Sequence, residues 1–177
     1  MMLVKENSSV IAQYYPFADS INQKIILESS QFPFVKEKYN WDGGYTNVRA
    51  LQMEPINHPA QNFSSVNLLF EWIINLVRNQ EFLKSHHLLF KVDHFWVSNY
   101  EKGDFTIPHH HYPSVYSFVY FLNSPKGSSP LVLTTSGKRF KAESGKVVLF
   151  PGHVVHHVPR NNCDNRIVLA GNLTLLN

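Results

Sequence analysis

Asn99-Tyr100-Glu101-Lys102-Gly103-Asp104-Phe105-Thr106-Ile107-Pro108-His109-His110-His111 is the stretch on which the reading of this chain turns. A turn signal, Glu101-Lys102-Gly103-Asp104, separates an apolar run from three successive histidines. On an extended backbone alternate side chains share a face, so His109 and His111 point one way and His110 the other. Two imidazoles at that spacing can grip one metal ion, and neutral imidazole suits iron, zinc, copper and nickel alike. Taken alone, a solvated histidine run accounts for the triplet equally well.

Around this stretch the pattern is that of strands. Phe90 to Tyr100, Val115 to Leu122, Leu131 to Thr135, Lys146 to Phe150 and Arg166 to Leu173 are short runs rich in β-branched and aromatic residues. Turn residues divide them: Asn123-Ser124-Pro125-Lys126-Gly127, Ser144-Gly145 and Pro151-Gly152. Toward the N-terminus the periodicity becomes helical. Asp19 to Ser29 sets Ile21, Ile25 and Ile26 on one face with Asp19 or Ser20 as N-cap. From Ser65 to Leu83, residues Val66, Leu69, Phe70, Ile73, Leu76 and Val77 form an apolar stripe, with Ser64 or Ser65 as its cap. Between the helices, Trp41-Asp42-Gly43-Gly44-Tyr45 reads as a turn and Thr46 to Met53 as a strand. Helices first and many short strands after predict an α+β domain. The pattern predicts one unit over residues 1–177: a helical and mixed support region over 1–88 and a barrel or jelly-roll core (the latter a double-stranded β-helix) over 89–177.

Composition agrees with a packed fold. The 177 residues are 44% hydrophobic and 14% aromatic but only 16% charged, which excludes intrinsic disorder. No apolar run approaches the roughly 18 residues of a membrane span. Lys5, Glu6 and Asn7 stand where a signal peptide has its apolar region, so export is not expected. A single cysteine, Cys163, excludes an internal disulfide and fits a reducing, cytoplasmic setting. The anomaly is ten histidines, six of them between His109 and His157.

A second cluster, His153, His156 and His157, follows the strand Lys146 to Phe150. A histidine just past that strand can reach across a barrel toward the first pair, whereas His153 and His157 read as surface loop residues. Ten residues beyond His156, Arg166 opens the last strand, and period two places Arg166, Val168, Ala170 and Asn172 on one face. A guanidinium on an inward face needs an anion, and its planar fork suits a carboxylate. The alternative is an arginine at the barrel edge paired with Glu143 or Asp164.

In order and spacing these elements resemble the Fe(II)/2-oxoglutarate-dependent dioxygenases, over roughly Phe90 to Leu173. Asn99 to His111 is similar to the Asn-Tyr…Gly…Pro-His-x-Asp segment of prolyl 4-hydroxylases, and Val119-Tyr120-Phe121-Leu122-Asn123 to the Tyr-Leu-Asn ending of the family's next strand. Phe150-Pro151-Gly152…His156-His157-Val158-Pro159 resembles a less studied group of 2-oxoglutarate–iron oxygenases with Phe-Pro-Ser…His…Val there. The resemblance implies a hydroxylase that uses Fe(II), 2-oxoglutarate and O2 on a peptidyl residue, proline by analogy, or on a small molecule. His109 and His156 match the family's two histidine ligands, and Arg166 the residue that binds the far carboxylate of 2-oxoglutarate. Tyr100 matches a tyrosine lining the cosubstrate pocket. Asn172 shares the face of Arg166, and the alignment turns Ser117, Val119 and Phe121 inward.

Three departures stand out. His111 occupies the place of the family's carboxylate ligand, so three neutral imidazoles leave the ion its full charge. Val168 stands where Ser or Thr is common, and Phe121 where oxygen-sensing prolyl hydroxylases have tyrosine. Three histidines are also the ligand set of cupin-like metalloenzymes that do not use 2-oxoglutarate, with Arg166 then binding a substrate carboxylate directly. A non-catalytic jelly-roll binding module is the remaining reading. Lys138, Arg139 and Lys141 around Phe140 make only a small basic cluster, which does not suggest nucleic acid.

Overall fold

The structure, a computed structural model, describes residues 9–36, 47–58, 63–80 and 88–176. The turn expected at Trp41 to Tyr45 and the last residues of the second expected helix lie outside them. Among the described residues the chain runs β1 (Ile11–Tyr14), α1 (Ala18–Ser29), β2 (Phe34–Val35), β3 (Val48–Arg49), β4 (Leu51–Met53), β5 (Ile56–Asn57) and α2 (Asn67–Arg78). It continues through β6 (Phe90–Tyr100), β7 (Phe105–His109), β8 (Tyr116–Asn123), β9 (Leu131–Leu133) and β10 (Arg139–Phe140). The last elements are β11 (Lys146–Pro151), β12 (His156–Val158) and β13 (Arg166–Leu175). No helix among these residues is long and apolar enough to cross a membrane.

The strands form two antiparallel sheets. The larger has the order β1-β11-β8-β13-β6-β4-β2, with β5 also on β6; the smaller has the order β10-β9-β12-β7-β3. This is a jelly-roll-like, mostly β architecture. Alternation sorts each central strand between two cores. On β11, Val147 and Leu149 join the larger core with the helices, while Val148 and Phe150 face the smaller sheet. On β13, Leu169 and Leu173 go to the helix side, and Val168 and Ala170 go inward. Residue 171, on the helix side by the same alternation, is glycine because a Cβ there would stand 2.7 Å from the ring of Phe118.

The helices bury their apolar stripes against the outer face of the larger sheet. Ile21 and Ile25 of α1 and Leu69, Phe70, Ile73 and Val77 of α2 share one core with Phe95, Phe118 and Tyr120. A buried asparagine fixes α1 in register: Asn22 Nδ2 donates to the Leu122 carbonyl at 3.0 Å, and its Oδ1 accepts from Tyr120 Oη at 2.8 Å.

Several expectations need correction. Neither helix is capped as expected, since the residues preceding them, Phe17 and Val66, make no side-chain cap. Ser65 instead gives both its N–H and its hydroxyl to Glu28 Oε2 of α1, at 3.0 and 2.6 Å, which joins the two helices. The second helix ends at Arg78 rather than near Leu83. The strand expected over Thr46 to Met53 is two strands in different sheets: β3 pairs with β7 and β4 with β6, with buried Ala50 at the crossing. His156 lies not in a loop but at the start of β12.

Candidate metal and dicarboxylate site

The inner face of the larger sheet is a grid set by register. On β13, Arg166, Val168, Ala170 and Asn172 stand opposite Tyr100, Ser98, Trp96 and His94 of β6. On the other flank, Val168, Ala170 and Asn172 meet Phe121, Val119 and Ser117 of β8. The smaller sheet faces this grid and carries His109 and His156, with β12 and β7 paired so that His156 is directly opposite His109, while His111 lies in the loop after β7.

The structure thus brings His109, His111 and His156 together. Their candidate ligand nitrogens all lie within 4.8 Å of one another. Ring centroids are 4.3 Å apart for His109 and His156, 5.0 Å for His109 and His111, and 5.1 Å for His111 and His156. His110 points away and is exposed, as period two requires. Two of the imidazoles have a fixed tautomer. His109 Nδ1–H donates to the Ile107 carbonyl at 2.8 Å, and His156 Nδ1–H to the Val154 carbonyl at 3.0 Å. Each therefore presents an unprotonated Nε2, the form a metal needs. Burial, reinforced by the neighbouring imidazoles, pushes His111 down to about 2 and His156 down to about 3. It lowers His109 as well. All three are neutral donors at physiological pH.

Arg166 and Tyr100 open on the same cavity as the three histidines, of about 40 Å³. The Arg166 guanidinium is fully buried, 4.6 Å above the Tyr100 ring and 5.4 Å from that of Phe121. Its Nε donates to the Ser129 carbonyl at 2.9 Å, but among the described residues Nη1 and Nη2 have no hydrogen-bond partner. Neither acidic residue proposed as its mate is used. Asp164 accepts from the Lys102 N–H at 2.9 Å, and Glu143 is held by Tyr14, Lys141 and Lys146. Burial pulls the guanidinium pKa below its ordinary value and raises that of Tyr100, whose hydroxyl is hydrogen-bonded to Thr106 Oγ1 at 2.7 Å. A buried cation with both terminal NH2 groups unmatched asks for a carboxylate, which accepts one N–H from each in one plane.

The other expected site residues fall elsewhere on the grid. Phe121 is buried against the guanidinium. Ser117 and Asn172 are occupied with one another: Ser117 Oγ donates to Asn172 Oδ1 at 2.7 Å, and Asn172 Nδ2 donates to His94 Nε2 at 2.8 Å. Sequence reasoning passed over Trp96, Ser98 and Thr106, which also line the cavity. Trp96 and Ser98 could have been found by counting back in twos from Tyr100, since all lie on one strand.

The donor set suits the metal and dicarboxylate that the sequence resemblance implies: two imidazoles locked with Nε2 free, a third beside them, and an unsatisfied guanidinium in the same cavity. No protein-family model matches the chain, and no curated protein sequence matches it. Solved structures do. The chain superposes with a TM-score of 0.67 on the viral collagen prolyl hydroxylase of Paramecium Bursaria Chlorella virus-1 in its 2OG complex, at 11% identity over 93% of this chain and 94% of that one. A Pseudomonas putida prolyl-4-hydroxylase gives 0.68 at 17% identity, covering 94% and 92%. The prolyl hydroxylase of Trichoplax adhaerens, in complex with a hypoxia inducible factor peptide fragment, gives 0.68 at 12%, covering 92% and 82%. In fold, this chain is similar along nearly its whole described length to the prolyl hydroxylases among the 2-oxoglutarate–iron oxygenases.

Proposed function

We propose that the protein is an Fe(II)- and 2-oxoglutarate-dependent dioxygenase that hydroxylates a peptidyl residue, proline by analogy with its structural neighbours, or a small molecule. The observation that carries this reading is the fully buried Arg166, whose two terminal NH2 groups have no hydrogen-bond partner among the described residues, in the cavity that gathers His109, His111 and His156. His109, His111 and His156 would hold the metal. Arg166 would receive the distal carboxylate of 2-oxoglutarate, with Tyr100 and Phe121 as the walls around its guanidinium. Fe(II) with 2-oxoglutarate and O2 supplies oxidative decarboxylation to succinate and CO2, coupled to hydroxylation of a C–H bond.

The chain's own contribution is binding, orientation and exclusion. The carbonyls of Ile107 and Val154 keep the Nδ1 protons of His109 and His156, so both lone pairs point inward. The Arg166 fork would set the direction of the dicarboxylate, and Val168, Ala170 and Val119 give the cavity an apolar wall. Ser117 and Asn172 belong to a polar network beside the site. The test is succinate formation from 2-oxoglutarate by protein reconstituted anaerobically with Fe(II) and then exposed to O2. Wild type forms succinate; Arg166→Ala retains metal and loses turnover at ordinary cosubstrate concentrations. Turnover unchanged in Arg166→Ala would overturn the assignment.

The histidine in place of a carboxylate ligand favours one second reading, a three-histidine dioxygenase in which Arg166 binds the carboxylate of the substrate itself. That reading predicts no succinate under any condition.

A further inference from the structure

His109 and His156 are each aimed by a backbone carbonyl; His111 is not. Among the described residues its ring nitrogens have no hydrogen-bond partner, and its neighbours are aromatic rings. One of these is Trp96, at 5.6 Å and 48° to the His111 ring. Trp96 is itself stacked on His94 at 5.9 Å and 22°. It faces Ala170 on β13, whose small side chain leaves room for an indole on the inner face. On the next inward rung a hydrogen-bonded chain fixes His94: Ser117 Oγ to Asn172 Oδ1, Asn172 Nδ2 to His94 Nε2, and His94 Nδ1–H to Asp93 Oδ2 at 3.2 Å. This chain is buried at Ser117 and Asn172, and nothing in the proposed chemistry uses it.

We propose that Trp96 is the positioning residue for His111, and that the Ser117–Asn172–His94 chain holds Trp96 in that place. The inference rests on the metal-site reading above. A carboxylate has two equivalent oxygens and tolerates rotation, but an imidazole offers one lone pair in its ring plane. A ligand histidine therefore needs something to set its ring, normally a hydrogen bond on the other nitrogen. At His111 that bond is absent among the described residues, and the flank of an indole takes its place. Tryptophan at 96 and histidine at 111 form one device, the second departing from the carboxylate that the resemblance predicts.

The test is Co(II) binding by calorimetry, with melting temperatures and the Co(II) absorption spectrum recorded on the same samples. Wild type binds one Co(II). Trp96→Ala weakens binding about tenfold or more, the range for loss of an orienting partner, and changes the spectrum, while Trp96→Phe stays within about twofold. The decisive comparison repeats Trp96→Ala in a His111→Asp background, where the carboxylate needs no flanking ring and the loss disappears. Should Trp96→Ala fail to fold, Asn172→Ala is compared across the same two backgrounds, with a smaller loss expected only where His111 is present. Equal losses in both backgrounds, or undiminished affinity in Trp96→Ala, overturn the proposal and leave the metal reading intact. No Co(II) binding by wild type overturns the metal reading and this inference with it.

Discussion

The two terminal NH2 groups of Arg166, unmatched among the described residues, decide what the cavity can hold. Replacing Arg166 with lysine keeps the charge and removes the fork, so 2-oxoglutarate affinity measured calorimetrically should fall by about tenfold or more, with Fe(II) content unchanged. Equal affinity would show that the fork binds nothing. The histidines give a second residue-scale prediction, for metal-free protein. Folded, His111 and His156 stay neutral down to about 2 and about 3, against 6.5 when unfolded. Below that point the unfolded chain takes up protons that the folded chain refuses. The sign is therefore a stability fully present above pH 6.5 and lost on acidification toward 3. Each histidine contributes up to about 1.4 kcal/mol per pH unit. Urea midpoints measured from neutral pH down to about 5 should fall steeply in wild type and more gently in a His111→Ala, His156→Ala double variant. Parallel slopes would contradict the neutral, buried placement.

At the scale of elements, the site depends on how two connections meet. The His111 N–H donates to the Gly152 carbonyl at 2.8 Å, and the Gly152 N–H to the Val115 carbonyl at 3.0 Å, so the turn after β11 clasps the loop after β7. A Cβ on Gly152 would fall on the Ser114 carbonyl group, which is backbone and cannot step aside. Gly152→Ala should cost about 1–3 kcal/mol in urea unfolding and weaken metal binding, because it pushes His111 away from β12. Unchanged metal affinity would refute the clasp. Asn22→Ala makes a control at the other face: about 1–3 kcal/mol of stability lost through two buried partners, with no change in 2-oxoglutarate affinity. How much of this was legible follows from period and distance. β6 and β13 were readable because their apolar alternation is long, and the facing of Arg166 because it opens such a run; His109 was singled out by its spacing from His111. β12 was not, because three residues carry too little periodicity and its pairing with β7 and β9 is entirely non-local. The helix caps failed for a similar reason: Ser65 satisfies Glu28 across the helix pair rather than its own helix. Trp96 was within reach of period-two counting, but its meaning beside His111 comes only from the facing sheet.

For the whole molecule, two sheets facing one another bring residues 109, 111, 156 and 166 into one cavity, while the helices buttress the opposite face of the larger sheet. The three metal ligands come together only in the folded chain, from β7, the loop after it and β12, so metal should stabilise the fold. At about one hundred times its Kd, Fe(II) or Co(II) should add about 2.7 kcal/mol, seen as a rise in Tm that a chelator reverses and that His156→Ala abolishes. A Tm indifferent to metal would mean that the three histidines hold no ion. The most direct test of the account is an anaerobic titration of Fe(II)-loaded protein with 2-oxoglutarate, watched for the visible charge-transfer absorption of a 2-oxo acid chelated to ferrous ion. We expect the band to appear and saturate at one equivalent in wild type, to be absent in His156→Ala, and to require far higher 2-oxoglutarate in Arg166→Ala. No band in wild type, or a band that saturates at the same concentration without Arg166, would contradict the claim that one cavity holds both metal and dicarboxylate.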